Sequence, residues 1–118
     1  MQCKKDEGIC AMYDKLIKKH FLFLLQHKFQ MKLYDKNAET EAHFQSSTSA
    51  ISIFIQRDRM EVVVSNRGEQ SNLIVYSKID PTERAVLQQQ IEATNTVEQK
   101  FAAYGSFIAR HLDKINHA

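Results

Sequence analysis

The sequence predicts an α+β domain: an N-terminal helix, an antiparallel sheet of four or five strands, and two C-terminal helices packed on that sheet. Three observations predict it. Apolar residues recur at three- and four-residue steps near both ends of the chain, the period of an amphipathic helix. Between these ends the pattern switches to alternation, the period of a half-buried strand. The chain has 118 residues, 43% hydrophobic and 25% charged, which suits one core and leaves too little for a second. No repeat or interdomain linker interrupts it, so residues 1–118 read as a single globular domain.

The first helix runs from about Ile9 to Gln26. Ile9, Met12, Tyr13, Leu16, Ile17, His20 and Leu24 share one face, and Asp14, Lys15, Lys18 and Lys19 the other. Its last turn, Phe21 to Leu25, is apolar all round. Leu22 and Leu25 therefore fall on the lysine side, where either another element covers them or they form a contact patch. Phe29, Met31 and Leu33 then alternate with Gln30, Lys32 and Tyr34 as a strand. Asp35 to Thr40 reads as a turn, Ala42 and Phe44 as a short second strand, and Gln45 to Ser49 as a solvated polar loop.

Ile51, Ile53 and Ile55 next share one strand face, and Met60, Val62 and Val64 share another. Opposed residues of a hairpin point to the same side, so an even loop is required. That predicts Ile55 opposite Val62, with a two-residue turn at Asp58-Arg59 or a four-residue loop from Arg57 to Met60. Asn66 to Asn72 reads as a loop with Gly68 in the left-handed region. Leu73 to Tyr76 reads as a further strand, apolar on both sides. Asp80-Pro81-Thr82-Glu83 starts a helix that runs to about Ala93, with Asp80 as cap and Glu83 reaching back to it. Thr96 to Gln99 carries a second capping box. Val97, Phe101, Tyr104, Ile108, Leu112 and Ile115 then form one stripe to the C-terminus. Gly105 lies beside that stripe and suggests close packing on the sheet.

The residues carry no catalytic or metal-site signature. His20, His27, His43, His111 and His117 form no HExxH or HxH. Cys3 and Cys10 form no CxxC and have no second pair, so neither zinc nor a disulfide framework is expected. Three scattered Gly cannot build a phosphate loop, and no serine sits in a GxSxG. A non-enzymatic protein without metal or cofactor is the expectation. The apolar run Phe21 to Leu25 is too short for a membrane span or a secretory h-region, which predicts a cytoplasmic protein in a reducing compartment.

The formal net charge is +2, from 16 basic and 14 acidic residues. Its distribution is uneven. Residues 1–36 carry eight Lys against four acids, hence +4; residues 37–80 carry four bases against six acids, hence −2; residues 81–118 carry four of each. A net +2 is too small to imply polyanion binding by itself. The lysine face of the first helix (Lys15, Lys18, Lys19) nevertheless supports an alternative reading, a small nucleic-acid-binding or regulatory module. Against it, an RNP-like run of alternating basic and aromatic residues is missing.

From Leu16 to Ser65 the order of elements is distinctive. A helix closes on Phe-Leu-Leu with a short basic link, Phe23 to Phe29. A strand, an acidic polar stretch and Phe44 follow, then the Ile/Val hairpin Ile51 to Val62 with its charged turn. The helical pair ending in Phe101 to Ile115 completes the order. It resembles the small α+β immunity proteins of bacterial toxin systems, including those of contact-dependent growth inhibition. The resemblance implies a cytoplasmic inhibitor that binds one cognate toxin domain, often a nuclease, and occludes its active site. The net +2 departs from the acidic balance of many such inhibitors. The acidic middle segment still offers Glu39, Glu41, Asp58, Glu61 and Glu69 as partner-binding charges, with Phe54, Tyr34 and Tyr76 as anchors.

Overall fold

A computed structural model of the chain describes residues 8–36, 39–56 and 59–116. Helix α1 (Gly8–Gln26) leads into five strands: β1 (Gln30–Lys36), β2 (Glu39–Gln45), β3 (Ser49–Gln56), β4 (Arg59–Asn66) and β5 (Glu69–Asn72). A 3-10 turn (Leu73–Val75) follows, then α2 (Pro81–Glu92), α3 (Val97–Arg110) and α4 (Leu112–Asn116). The fold is α+β, as the sequence predicts. No helix among the described residues is long and apolar enough to cross a membrane.

The strands lie in the order β1-β2-β3-β4-β5, each antiparallel to its neighbours. The pairing carries Leu33, Ala42, Ile53 and Val62 across one row and Met31, Phe44, Ile51 and Val64 across the next. These side chains share one face, because directly opposed residues point the same way. α1, α3 and α4 cover that face, so it forms the core with Ile17, Phe21, Leu24, Phe101, Phe107 and Ile108. Phe21 sits at its centre, 5.9 Å from Phe44 and 6.0 Å from Phe101 between ring centroids. α1 bends at this residue, whose φ of −123° and ψ of 18° leave the helical region. Leu25 is partly buried, whereas Leu22 remains 50% exposed.

Several local expectations change. The β3–β4 hairpin keeps the predicted matching of faces, but its register shifts by two: Ile53, not Ile55, faces Val62. The ladder continues through Ile55–Met60 and Gln56–Arg59, adding pairs and leaving positions 57 and 58 as the link. Those two positions, Asp58 included, and Cys3 lie outside the described residues. The segment 35–40 is mostly strand, since β1 reaches Lys36 and β2 begins at Glu39.

The predicted strand Leu73 to Tyr76 is instead the 3-10 turn and its cap. The fifth strand is the polar segment before it. Arg67 (φ 53°) and Gly68 (φ 85°) form a tight two-residue link between Asn66 and Glu69, with both φ values positive as a type I′ turn requires. Asn72 then ends the strand by accepting the Ile74 amide at 3.0 Å. Arg84 holds the turn from α2, donating to the carbonyls of Ile74 and Ile79 at 3.1 and 2.9 Å.

Among the helices, the Thr96–Gln99 capping box forms as expected. Asp80 makes no side-chain cap. Glu83 reaches forward to His111 Nε2 at 3.1 Å rather than back to the helix start. His111 is buried against Phe107 and breaks the C-terminal helix, with φ of −115° and ψ of 17°, which separates α4 from α3. Gly105 packs on α1 rather than on the sheet: a Cβ there would lie 2.7 Å from the His20 carbonyl oxygen. The Ser/Thr loop is a clasp. Ser49 Oγ donates to Asn116 Oδ1 at 2.9 Å, and Thr48 Oγ1 donates to the Asn116 carbonyl at 3.1 Å.

Candidate functional site

The helices cover one side of the sheet, and the opposite side carries the alternate residues of every strand. Strand register aligns Tyr34, Glu41, Phe54 and Glu61 in one cross-strand row. Lys32, His43, Ser52, Val63 and Asn72 form the next row. Alternation dictates this: Ala42 and Phe44 are drawn to the core, so Glu41 and His43 must face away from it.

His43 organises the centre of this face. Its Nε2 lies 3.0 Å from Glu41 Oε1 and its Nδ1 lies 2.8 Å from Ser52 Oγ. In the neutral ring, Nε2 donates to the carboxylate and Nδ1 accepts the serine hydroxyl. Tyr34 and Phe54 flank the imidazole edge-on, with centroids at 5.4 and 5.8 Å. Glu41 is only 8% exposed, although it stands on the uncovered face. A carboxylate buried this far needs hydrogen bonds to offset its lost hydration, and His43 supplies one. The arrangement is therefore an ordered polar centre between two aromatic side chains.

The same three residues have the contacts of a nucleophile, a base and an orienting acid. A reaction also requires a concave place for substrate over the hydroxyl. Of the three, His43 lines a hollow among the described residues, with Lys28, Lys32 and Gln45.

Of the residues singled out in the sequence, Glu39, Glu41, Phe54 and Glu61 fall together on this face. Glu69 is exposed at the far end of the sheet, across the tight link from Asn66. Tyr76 is a correction. The 3-10 turn directs it into the core, where it is 5% exposed and unable to act as a surface anchor. Burial, reinforced by Glu69, raises its phenol above the usual tyrosine value. Its hydroxyl has no hydrogen-bond partner among the described residues.

Sequence reasoning missed His43 and Ser52 as a pair, because their opposition appears only once the β2–β3 register is known. It also missed a cleft of about 580 Å³ beside β4, lined by Phe54, Met60, Glu61, Ile74, Ile91 and Tyr104 among others. β5 pairs only with Val63–Asn66, so no described strand lies beside Arg59–Val62 on that side. A second hollow of about 380 Å³ presents Lys28, Lys32 and His43. No group of three or more His, Cys, Asp or Glu among the described residues is placed to hold a metal ion.

The lysine face of α1 is partly engaged in ion pairs. Lys18 meets Asp14 at 3.3 Å and Lys19 meets Glu98 at 2.7 Å, while Lys15 is exposed. Hydrogen bonds from Lys19 and then His20 hold the Glu98 carboxyl below its ordinary value. Two of the three lysines thus already meet a carboxylate, which weakens this face as a polyanion site. No family model matches the chain, and no curated protein or solved structure matches it.

Proposed function

We propose that this chain is a non-enzymatic binding protein of the toxin-immunity kind, which neutralises a cognate bacterial toxin domain by stoichiometric association in the cytoplasm. One observation carries the reading: a five-stranded sheet left uncovered on one side, with Phe54 and Tyr34 around the Glu41–His43–Ser52 centre. Strands hold these side chains in fixed register, so little ordering entropy remains to be lost on docking. Aromatic anchors beside satisfied polar groups are the usual make-up of an interface centre. Glu39, Glu41 and Glu61 stand on this face beside Lys32 and Arg59, and the three acids would pair with basic side chains of a partner such as a nuclease domain.

The test is protection. Co-expression with the toxin domain encoded beside the gene is expected to rescue growth, and the purified pair is expected to form a 1:1 complex. Phe54→Asp is expected to weaken that complex by more than about 30-fold, the effect of losing an anchor worth ~2 kcal/mol or more, while the circular dichroism spectrum stays unchanged. Full protection by the folded variant would overturn the proposed docking face. Absence of any toxin that the protein binds would overturn the function.

A further inference from the structure

The cleft beside β4 has features that a plain docking face does not need. It exists because β5 stops short, leaving the first half of β4 without a described strand on that side. Its walls combine apolar side chains (Met60, Ile74, Ile91) with three carboxylates, Glu39, Glu61 and Glu92, against one guanidinium, Arg59. Glu61 accepts the Asn72 side-chain amide at 2.9 Å and Glu92 that of Gln88 at 3.4 Å, each through one oxygen, which leaves the other oxygen of each carboxylate for a further donor. The acids do not converge into a metal site. The cleft's volume, about 580 Å³, falls within the range of ligand pockets, roughly 300–1,000 Å³.

Tyr104 adds an independent observation. It is only 4% exposed, yet it lines the cleft. Among the described residues the Tyr104 hydroxyl has no hydrogen-bond partner, and unlike that of Tyr76 it is not fully enclosed. The hydroxyl thus reaches the cleft without a partner among the described residues. Burial, and then the charge of Glu61, push its phenol up to about 12, so it remains a neutral donor and acceptor.

We propose that this cleft receives an arginine side chain from the partner protein. The inference rests on the binding function proposed above and names what the partner must carry. Apolar walls suit the methylene stem, and spaced carboxylates suit the planar fork of donors at its end. The Tyr104 hydroxyl accepts one further N–H, and the ring of Phe54 offers a stacking surface at the rim. Phe54 and Glu61 belong to both the uncovered face and the cleft, so a partner docked on the face reaches the cleft without a gap.

The probe is a short blocked peptide with two arginines, compared with the same peptide carrying neutral citrulline in their place. Titration into the isotope-labelled protein is expected to shift the amide signals of Met60, Ile74, Ile91 and Tyr104 with the arginine peptide and to leave them in place with citrulline. Glu61→Gln is expected to weaken the arginine peptide about fivefold by removing one charge-assisted contact. Tyr104→Phe should weaken it by a smaller factor while preserving the core packing of the ring. Equal shifts with both peptides, or no shift at these amides, would overturn the inference. A toxin complex that Phe54→Asp weakens, with an arginine peptide that fails to bind, leaves the docking face standing and removes only the cleft. Peptide binding without a toxin partner does the reverse.

Discussion

Tyr76 illustrates how much a single atom can decide. Its ring belongs to the core, but its hydroxyl is buried without a partner among the described residues. A buried unsatisfied hydroxyl costs about 1–3 kcal/mol, so removing it while keeping the ring should be favourable. Tyr76→Phe is expected to raise unfolding stability by about 1 kcal/mol, read as a higher urea midpoint with an unchanged slope. A lower midpoint would mean that the hydroxyl is bonded in solution. Single residues also mark the limits of sequence reading. Glu41, Phe54 and Glu61 were legible as outward-facing, because each is next along its strand to a core residue, Ala42, Ile53 and Val62 respectively. Tyr76 was not, since its direction depends on the Asn72 cap and on Arg84 gripping a carbonyl from another element. A tertiary contact of that kind leaves no periodic trace in the chain.

Elements show the same division. Helices with strong periodicity and a capping box, such as α3, could be read directly. β5 could not: Glu69-Gln70-Ser71-Asn72 has no apolar alternation, and it pairs because the Arg67–Gly68 link returns the chain beside β4. The α1–α3 contact tests two opposed effects. Helix propensity favours Ala over Gly by about 1 kcal/mol, whereas a Cβ at position 105 meets the His20 carbonyl oxygen. Backbone cannot yield as a flexible side chain would, so Gly105→Ala is expected to destabilise by about 1–3 kcal/mol in urea unfolding. The same pair of helices carries a pH-dependent tie. Glu98 has its pKa lowered in the folded state, so its contribution is present above the ordinary 4.5 and is lost as pH falls through the lowered value. Thermal midpoints of the protein and of Glu98→Gln are therefore expected to differ near neutral pH and to converge in acid. A constant difference would assign the effect of the substitution to packing.

For the whole molecule, the uneven charge acquires a location. The basic segment is largely α1 and β1, while Glu39, Glu41 and Glu61 stand on the uncovered sheet face. Lys32 and Arg59 share that face with the three acids, so the sheet surface is charged but mixed in sign. Long-range ties hold the last described helix: Asn116 receives hydroxyls of residues 67–70 positions earlier, and Asn66 donates to the Ile115 carbonyl. Asn116→Ala is expected to accelerate unfolding several-fold with little change in refolding rate, as measured by stopped-flow, because such distant contacts form late. Equal slowing of refolding would place the clasp in the folding nucleus.

The strand order has a kinetic meaning as well. Every strand pairs with its immediate neighbour along the chain, so each pairing closes a short loop and the sheet can grow hairpin by hairpin. The slow, loop-entropic part of folding is thereby confined to bringing α1 and the C-terminal helices together over a sheet that can assemble without them. An encounter between these two ends of the chain, rather than strand pairing, would then set the time the molecule spends with its apolar face uncovered.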